Sequence, residues 1–334
     1  MMIHWEEAGK WDLYQALVGR VEKLDVLQPF GLNRFRSRFW NRVTFFLSEF
    51  YLPLAALVRR DSYNIVISWS MRLGICYGIL NRLAIKSARP KHIIYDFHIN
   101  LTRNDPFYRF RINLLRIALP GIDFFYTTSE KEKEIYTKRF NIHPDQIAFY
   151  PMKPAAYLLE KEAYSKGGYL FSYGNSDRDY DTLIEAVRRL PFQTVIVSKT
   201  YQPMQPLPPR IVLIREKPWD ELLALIGSSC MVILPLQSYW IAAGQTAMLE
   251  TLALGRPLIV TSNMATIEYA TDKQTALFFE AGDDGNLKKH IQFLMNNPVV
   301  AENMGRQARL SVSKNAERRL IVFLGVLDYL LKDC

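Results

Sequence analysis

Short apolar runs alternate with amphipathic stretches along most of the chain. The runs are rich in Val, Ile, Phe and Tyr and end in small or polar residues, as strands of a buried parallel sheet do. The predicted strands cover 63–68, 92–96, 123–129, 147–150, 169–173, 194–198, 211–214, 231–234 and 257–261. The predicted helices cover 73–84, 107–119, 130–140, 182–189, 219–227, 245–254, 286–295, 301–315 and 320–331. This alternation predicts βαβ units, and hence an α/β protein built on parallel sheets.

The alternation is interrupted between residues 151 and 168. That segment holds Pro151, Pro154, Gly167 and Gly168 among charged residues, which is the composition of a connection between domains. The chain has 334 residues, enough for two hydrophobic cores. We therefore predict a first domain over 1–157 and a second over 158–317, each a Rossmann-like doubly wound sheet.

Charge is divided unevenly between these halves. The net charge is +9, and residues 1–157 carry 23 Lys and Arg against 14 Asp and Glu, whereas the remainder carries 19 of each. The excess peaks at 26–48, which lacks acidic residues and in which Arg34, Arg36, Arg38 and Arg42 alternate with Phe35, Phe39, Trp40, Phe45 and Phe46. This stretch has two equal interpretations. It is either a solvated basic helix whose aromatic residues pack on the domain, or a surface that contacts an anionic membrane.

The cysteines and the N-terminus indicate a cellular compartment. Cys76, Cys230 and Cys334 are far apart and no CxxC pair occurs, so we expect a reduced protein rather than a disulfide or zinc scaffold. The N-terminus is acidic where a signal peptide is basic, and no apolar stretch is long enough to span a bilayer. The expected location is the cytoplasm, with peripheral attachment to the inner face of the membrane if the basic stretch binds lipid.

Ligands of parallel sheets bind where strands end, so the loops after the predicted strands are where chemistry is expected. One such loop runs from Gly174 to Asp181 and contains Arg178 just before a predicted helix. Gly174 permits a close turn, and a helix N-terminus beside a guanidinium favours an anion such as a diphosphate. The competing interpretation is that Asp179 or Asp181 caps the helix and pairs with Arg178.

The loop that opens the predicted helix 245–254 carries a stronger pattern. Gly244 lets a ligand approach the backbone, and Gln245 and Thr246 open a helix whose first N–H groups point towards it. Glu250, one turn after Thr246, can accept hydrogen bonds from ribose hydroxyls. Thr246 as a plain N-cap and Glu250 as a surface residue are the alternatives.

Three motifs in this half resemble those of the retaining GT-B glycosyltransferases of family four, also called group 1. They are Gly174 with Arg178-Asp179 and Leu183-Ile184-Glu185-Ala186, then Leu249-Glu250-Thr251-Leu252-Ala253-Leu254-Gly255-Arg256-Pro257-Leu258-Ile259, and then Met304-Gly305-Arg306-Gln307-Ala308-Arg309. The resemblance implies a GT-B fold, in which two Rossmann-like domains face each other across a cleft. It also implies that the final helix, within 318–334, returns to the first domain.

The resemblance further implies roles for matching positions. Arg178 takes the place of the family's phosphate-binding Lys, and Glu250 takes that of the Glu that holds the donor ribose. The loop with Lys217 and Pro218 falls where the nucleobase is held. The positions that fall near the diphosphate and sugar are Gly174, Asn175, Gly244, Gln245 and Thr246.

Two positions depart from the family pattern. The family usually has a second Glu eight residues before the ribose Glu, and this chain has Ala242 there. The family's turn Arg after the glycine is Asn175 here, and Lys199, a lone cation at the end of a strand, can supply the missing phosphate contact. These departures leave the sugar specificity open.

In the first half, His98 follows the predicted strand 92–96. The resemblance places it near the donor sugar, where an imidazole can accept or donate a proton. A purely structural hydrogen bond is the equal alternative. We therefore take His98, Arg178 and Lys199 as the candidate catalytic residues.

These observations predict an enzyme that transfers a hexose-type sugar from a UDP- or GDP-linked donor to a glycan or lipid-linked acceptor, in polysaccharide or glycolipid synthesis. The resemblance implies retention of configuration without a metal or other cofactor. A GT-A transferase, which would hold a metal with Asp177 and Asp179 or with Asp179 and Asp181, is one rival, although Arg178 would compete with the cation. An inactive GT-B scaffold fits Ala242. A basic nucleic-acid-binding protein is the third rival, but no nucleic-acid module is visible, and we expect no such partner.

Overall fold

The residues described by the computed structural model are 2–3, 14, 17–27, 38–83, 89–100, 102–161 and 168–332, and for 2–3, 38, 39, 41, 42, 45 and 314–318 the backbone alone is described. The predictions for Arg34 and Arg36 lie outside these residues. The predictions for the side chains of Arg38 and Arg42 also lie outside the described part of the chain.

The first of two sheets is assembled from the N-terminal strands and covered by helices on the chain segments between them. Its strands are β1 Met2–Ile3, β2 Val26–Leu27, β3 Ile65–Ser70, β4 Lys91–Asp96, β5 Phe124–Thr127 and β6 Ile147–Phe149. Its helices are α1 Arg38–Val58, α2 Met71–Arg82, α3 Pro106–Ala118 and α4 Glu130–Phe140. The strands lie in the order β2-β1-β3-β4-β5-β6, and all pairings are parallel.

The second sheet is also parallel and is built from strands that alternate with helices along the chain. Its strands are β7 Tyr169–Tyr173, β8 Gln193–Val197, β9 Ile211–Ile214, β10 Met231–Leu234, β11 Leu258–Thr261 and β12 Leu277–Phe279. The helices are α5 Ala156–Glu160, α6 Tyr180–Val187, α7 Trp219–Ser228, α8 Gln245–Ala253, α9 Thr266–Tyr269, α10 Asp284–Asn296 and α11 Pro298–Leu331. The order β12-β11-β10-β7-β8-β9 is parallel throughout, and its direction reverses between β7 and β10. Ligands of doubly wound sheets bind at this switch point.

The chain divides into two units, one around each sheet. The first comprises Met1–Ile99, Arg103–Tyr150 and Leu320–Cys334, and the second comprises Asn100–Thr102 and Pro151–Arg319. The end of α11 thus belongs to the first unit, where Phe323 and Leu327 pack with Ile93 and Tyr126 on one face of the sheet.

Each unit has its own apolar core. In the first, α1 covers the other face of the sheet, where Leu52 and Ala56 pack with Val66 and Tyr77. In the second, α6 and α10 lie over β8 and β10, with side chains such as Leu183, Ile184, Ile196, Ile233 and Ile291 in one buried cluster. Strands that are covered on both faces have no side facing water, which explains why they are apolar along their whole length.

The predicted elements are confirmed to within a few residues, and β7, β9 and β10 match at both ends. The prediction of two helices over 301–315 and 320–331 is wrong, because α11 is continuous. Residues 314–320 contain neither Pro nor Gly, so nothing in the backbone ends the helix there. Within the described ranges, no helix combines the length and the apolar character needed to cross a bilayer.

Candidate active site

The chain turns sharply where β7 ends. Gly174 has a φ of +121°, in the range that favours glycine. The guanidinium of Arg178 packs onto this glycine, and a Cβ on Gly174 would lie 2.5 Å from its Nη2. Arg178 Nε donates to the Tyr173 carbonyl at 2.9 Å, and Nη1 donates to the Ser176 carbonyl at 2.8 Å. Gly174 therefore makes the space in which Arg178 is held at the carboxyl end of the sheet.

Arg178 is half-buried. Burial lowers its pKa because desolvation makes the charged form costly. Asp179 caps α6, as one alternative predicted, since its Oδ1 accepts from the Thr182 N–H at 3.1 Å. The guanidinium instead donates to the two neutral carbonyls of Tyr173 and Ser176. A cation in these surroundings favours an anionic ligand.

The loops on the two sides of the switch point are joined by hydrogen bonds. The Asp179 N–H donates to the Pro235 carbonyl at 3.0 Å, and the Gln237 N–H donates to the Asp177 carbonyl at 3.1 Å. The side-chain amide of Gln237 donates to the Arg178 carbonyl at 3.0 Å. The loop after β10 thus fixes the backbone that carries Arg178.

Helix α8 begins without a side-chain cap. Gly244, with a φ of +90°, precedes its first residue, Gln245, and the Gly244 carbonyl accepts from the Met248 N–H at 2.9 Å. The interpretation of Thr246 as the N-cap is wrong, because Thr246 lies inside the first turn and is exposed. The first N–H groups of a helix have no acceptor within it, and the dipole makes this end positive. A phosphate group placed here would meet N–H donors.

Glu250 is buried, so it is not the surface residue of the alternative interpretation. Only 8% of it is exposed, and the Tyr173 hydroxyl lies 2.7 Å from its Oε2 and 2.9 Å from the Ala247 carbonyl oxygen. Burial raises the pKa of Glu250 to about 7, opposed by the hydrogen bond from Tyr173 and by the charge of Arg178. Tyr173 thus connects Glu250, through its hydroxyl, with Arg178, through its carbonyl, at the switch point.

Thr261, the last residue of β11, and Asn263, two residues further on, hold this region in place, and sequence reasoning did not identify them. The Asn263 amide nitrogen donates to the carbonyls of Ile241 and Ala243, each at 3.2 Å, and its oxygen accepts from two backbone N–H groups. Thr261 Oγ1 accepts from the Leu236 N–H at 2.8 Å. The loop into α8 is thus fixed by fully buried polar groups. Their position at the carboxyl end of a strand was the available signal.

Asn175 and Lys199 lie in one loop cluster. The Asn175 Oδ1 accepts from the Lys199 N–H at 2.7 Å, so this side chain shapes the loop after β8. The Lys199 ammonium lies 3.0 Å from each carboxylate oxygen of Glu216. An anion that used Lys199 would therefore share it with Glu216.

Lys217 and Pro218 lie at the start of α7. The Lys217 ammonium is 2.6 Å from a carboxylate oxygen of Glu221, one turn further on. Pro218 precedes the first helical residue, Trp219, whose indole N–H donates to the Tyr157 hydroxyl. Trp219 is 42% exposed, which leaves part of an aromatic ring open beside the predicted nucleobase loop. The contacts of Lys217 are local to α7.

In the first unit, His98 forms a pair with Glu132. Its Nδ1 lies 2.7 Å from Glu132 Oε1, and the Glu132 side chain is fully buried, whereas that of His98 is 35% exposed. The Tyr136 hydroxyl donates to the same oxygen at 2.7 Å, and Thr128 Oγ1 donates to Oε2 at 3.3 Å. Burial opposes protonation of His98, but Glu132 and Asp96 outweigh it and raise the His98 pKa. Glu132 was missed because the sequence shows it only as one of several charged residues in α4.

The aspartates of the GT-A alternative accept hydrogen bonds from nearby groups, and Asp181 Oδ1 accepts from the Tyr201 hydroxyl. Asp177 Oδ2 accepts from the Ser238 N–H at 3.3 Å, and both Asp179 oxygens contact Thr182. Among the described residues, no group of three or more His, Cys, Asp or Glu side chains is placed to hold a metal ion.

Comparisons with known proteins place this geometry in context. Residues 204–311 match the sequence model of a family described as Glycosyl transferases group 1. The match includes α8 with Glu250 but begins after Arg178. In a comparison with curated protein sequences, no protein matches.

Solved structures are similar over nearly the whole chain. Sucrose-phosphate synthase from Thermosynechococcus elongatus has a TM-score of 0.66 at 17% identity, covering 92% of this chain and 84% of that one. A glycosyltransferase from Rickettsia africae has a TM-score of 0.65 at 16% identity, covering 95% and 88%. HepE from Anabaena, in complex with UDP-glucose, has a TM-score of 0.65 at 11% identity, covering 96% and 89%. These structures are GT-B glycosyltransferases, so the predicted fold of two Rossmann-like halves is confirmed.

Proposed function

We propose that this protein is a glycosyltransferase that moves a hexose-type sugar from a nucleotide-diphosphate donor to a glycan or lipid-linked acceptor. The observation that carries the proposal is the switch point of the second sheet. Two glycines with positive φ lie there, together with a helix N-terminus that has no side-chain cap, the half-buried Arg178 and the buried Glu250. The match of 204–311 to the group 1 family supports the same reaction class.

The donor diphosphate is proposed to bind between Arg178 and the first turn of α8. During transfer, the bond between the sugar C1 and the diphosphate oxygen breaks, and negative charge grows on the leaving nucleoside diphosphate. N–H groups at a helix N-terminus and a guanidinium stabilise that charge. Gly174, Gly244 and Gln245 keep the backbone close, and Lys199 adds a further cation.

The nucleoside is proposed to lie beside Glu250, whose carboxylate accepts hydrogen bonds from the ribose hydroxyls. The raised pKa means that this acceptor is only partly ionised near neutral pH. The loop with Lys217 and Pro218 is proposed to hold the base. HepE was solved with UDP-glucose, which supports a UDP-linked donor, and a GDP-linked donor is the second choice.

The proposed reaction proceeds with retention and without a metal. In such a mechanism, no protein nucleophile is needed, because the leaving phosphate helps to deprotonate the acceptor on the same face of the sugar. His98, oriented by Glu132, is proposed to take part in the reaction as a proton-bearing hydrogen-bond partner. Ala242, in place of the family's second Glu, leaves the identity of the sugar to experiment.

The biological role that fits this chemistry is polysaccharide or glycolipid synthesis in the cytoplasm. A lipid-linked acceptor would account for the basic first half, because such acceptors lie in membranes that carry anionic lipid. The alternative of an inactive scaffold rests on Ala242, and the nucleic-acid alternative rests on the stretch of alternating basic and aromatic residues.

A thermal-shift screen with UDP-, GDP- and ADP-sugars tests the proposal first. A donor that binds the folded protein raises its melting temperature by mass action. The expected result is a shift with one nucleotide class, followed by release of that nucleoside diphosphate when an acceptor is added. The anomeric configuration of the product then tests retention, and activity that survives EDTA tests independence from metal. A shift without turnover would favour the scaffold, and no shift with any nucleotide sugar would contradict the proposal.

A further inference from the structure

Helix α3, in the first unit, carries two apolar stripes. The side chains of one stripe are buried and comprise Tyr108, Ile112, Leu115 and Ala118. The other, which we call the α3 stripe, recurs at spacings of three and four residues and comprises Phe107, Phe110, Leu114 and Ile117. In the α3 stripe, Phe107 is 68% exposed, Phe110 is 60% exposed and Ile117 is 45% exposed. A surface helix usually has one apolar stripe, towards the core, so the α3 stripe points to binding rather than to folding.

The end of α2 extends this apolar surface. The guanidinium of Arg82, the last residue of α2, donates to the Ile117 carbonyl at 3.1 Å, so the two helix ends lie side by side. The next residue, Leu83, is 81% exposed. Together with Phe107, Phe110 and Ile117 it presents roughly 400 Å² of apolar surface, within the ~300–600 Å² found for the largest patch on a monomer. Patches of this size are often interaction sites.

Three exposed arginines accompany the α3 stripe, and their hydrogen bonds are to neutral groups. Arg109 Nε donates to the Asn104 side-chain oxygen at 3.0 Å, and Arg116 Nη1 donates to the Asn113 side-chain oxygen at 3.4 Å. Arg82 donates to a backbone carbonyl, as described above. Within the described part of the chain, no carboxylate forms an ion pair with any of the three. Their positive charges are therefore open to an anionic partner.

The acidic residues near this surface are already neutralised. Neither α2 nor α3 contains Asp or Glu. The carboxylates that flank α3 along the chain are those of Asp105 and Asp123. Asp105 lies 2.7 Å from the guanidinium of Arg103, and Asp123 lies 2.8 Å from that of Arg89. The surface formed by α3 and the end of α2 thus carries a positive charge that its neighbours do not cancel.

Helix geometry places the apolar and the basic side chains on one exposed side. Arg109 and Arg116 are seven residues apart, so with 3.6 residues per turn they lie in one row along α3. This row and the α3 stripe occupy the two flanks of the side that faces away from the buried stripe. A flat partner that touches α3 would therefore meet aromatic rings along one flank and guanidinium groups along the other.

An anionic lipid surface complements both flanks. Its phosphates attract arginines, and its boundary between headgroups and acyl chains receives apolar side chains. A nucleic acid would satisfy the arginines through its phosphates but would leave Ile117 and Leu83 without an apolar partner. A second copy of this chain would bring the same arginines together, and like charges repel. The combination of charge and apolar area therefore favours lipid.

We propose that α3 lies in the plane of an anionic membrane surface. The α3 stripe and Leu83 insert at the boundary between headgroups and acyl chains, while Arg109 and Arg116 contact lipid phosphates. This surface differs from the basic stretch 26–48 that the sequence singled out, and α3 was predicted from the sequence only as a helix. The inference does not rest on the proposed transfer reaction, since neither the contact nor its test involves a sugar.

Sedimentation with vesicles of phosphatidylcholine containing roughly a third phosphatidylglycerol tests the apolar contribution, because this composition has a negative surface potential. The variant Phe107→Ser/Phe110→Ser keeps every arginine, and we expect it to bind these vesicles at least ~tenfold more weakly than wild type. The matched control Phe293→Ser/Val299→Ser changes two exposed apolar residues of the second unit and should bind like wild type.

A second pair of variants tests the charges. Arg109→Gln/Arg116→Gln keeps the α3 stripe, and it should bind the anionic vesicles at least ~fivefold more weakly than wild type. It should also show a smaller difference than wild type between anionic and pure phosphatidylcholine vesicles. The control Arg188→Gln/Arg189→Gln removes two exposed arginines of the second unit and should stay within ~twofold of wild type.

Insertion is measured separately with lipids brominated on their acyl chains. Phe110→Trp places an indole in the α3 stripe, and we expect its added fluorescence to be quenched by these lipids. Val299→Trp, at a position 72% exposed in the second unit, should show no added quenching. Equal quenching in the two variants would contradict insertion of α3.

Several other results would overturn the proposal. Wild type that does not pellet with anionic vesicles is one, and Phe107→Ser/Phe110→Ser that pellets as well as wild type is another. A wild-type dimer that this variant converts to a monomer would assign the surface to a second copy. Binding of a short RNA by a wild type that ignores the vesicles would assign the arginines to nucleic acid.

Two further measurements keep these outcomes distinct. Should Phe107→Ser/Phe110→Ser lose its cooperative urea transition, Leu83→Ser repeats the sedimentation, with at least ~threefold weaker binding expected. Thermal shift with UDP on the same variants reports on the proposed donor site. Loss of vesicle binding with an unchanged UDP shift would support the membrane contact whatever the fate of the proposed reaction.

Discussion

The guanidinium of Arg178 occupies the space that a side chain on Gly174 would need. A Cβ on Gly174 would lie 2.5 Å from Nη2 and 2.7 Å from Nε, and the Gly174 φ of +121° is itself unfavourable for any residue with a side chain. The turn at the end of β7 and the position of the proposed phosphate-binding cation therefore depend on each other.

Gly174→Ala is expected to displace Arg178 and to weaken donor binding by at least ~tenfold, with a loss of ~1–3 kcal/mol in the free energy of unfolding. Isothermal titration with the donor and chemical denaturation measure the two effects. Gly282→Ala is the matched control, because Gly282 also has a positive φ, +79°, but faces open space. It should lose about 1 kcal/mol of stability and keep donor affinity. Equal donor affinity in both variants would separate Gly174 from the site.

Arg178→Ala is expected to lower turnover by at least ~tenfold, which corresponds to ~1.4 kcal/mol of transition-state stabilisation. The reason is the loss of the cation that faces the leaving diphosphate. Steady-state kinetics give the ratio, with Arg188→Ala as the control, since Arg188 is an exposed arginine paired with Glu185 at 2.7 Å. Turnover that stays at the wild-type level would remove Arg178 from the mechanism.

Glu250 makes the stability depend on pH. Its pKa rises from 4.5 to about 7 on folding, so between these values the folded state binds more protons than the unfolded state, and stability falls as pH increases. Glu250→Gln removes this penalty. The unfolding free energy of Glu250→Gln should exceed that of wild type by an amount that grows by roughly 1–3 kcal/mol as the pH rises from 4.5 to 7. Above pH 7 the difference should stay nearly constant. Urea denaturation at several pH values measures the gain.

Glu302→Gln, at an exposed carboxylate, is the control for that series and should follow wild type at every pH. A constant difference between Glu250→Gln and wild type from pH 4.5 to pH 8 would contradict a raised Glu250 pKa.

Glu132→Gln is expected to lower the His98 pKa, because the carboxylate that stabilises the imidazolium is lost. NMR titration of the His98 ring measures the pKa directly, and the pH dependence of turnover should move in the same direction. Glu134→Gln, two residues away in the same helix and exposed, should leave both unchanged. A His98 pKa that is equal in wild type and Glu132→Gln would reject the pair as a functional unit.

Much of the fold could be predicted because the signals are local. Strands such as β7, β9 and β10 are short apolar runs with clear ends, and each was predicted at its observed bounds. The close turn predicted at Gly174 agrees with its positive φ, and Gly244 has a positive φ as well, a conformation that glycine adopts readily. Elements of two or three residues, such as β1 and β12, carry too few residues for a period to show.

The contacts that define the site were decided by the tertiary structure. Tyr173 reaches Glu250 across 77 positions, and His98 reaches Glu132 across 34, because the sheet order places distant strand ends side by side. Whether a carboxylate is buried, and hence whether its pKa shifts, depends on those neighbours and not on its place in a pattern.

The apolar character of α1 was visible in the sequence, but which of its sides faces the core was not. Both sides carry apolar residues, so hydrophobic periodicity does not distinguish the buried Leu52 from the exposed Phe50. Only the packing of α1 on its sheet decides which side lies in the interior. Sequence thus determined which segments fold and which loops hold reactive residues, whereas packing determined which residues meet, because contact depends on the arrangement of whole elements.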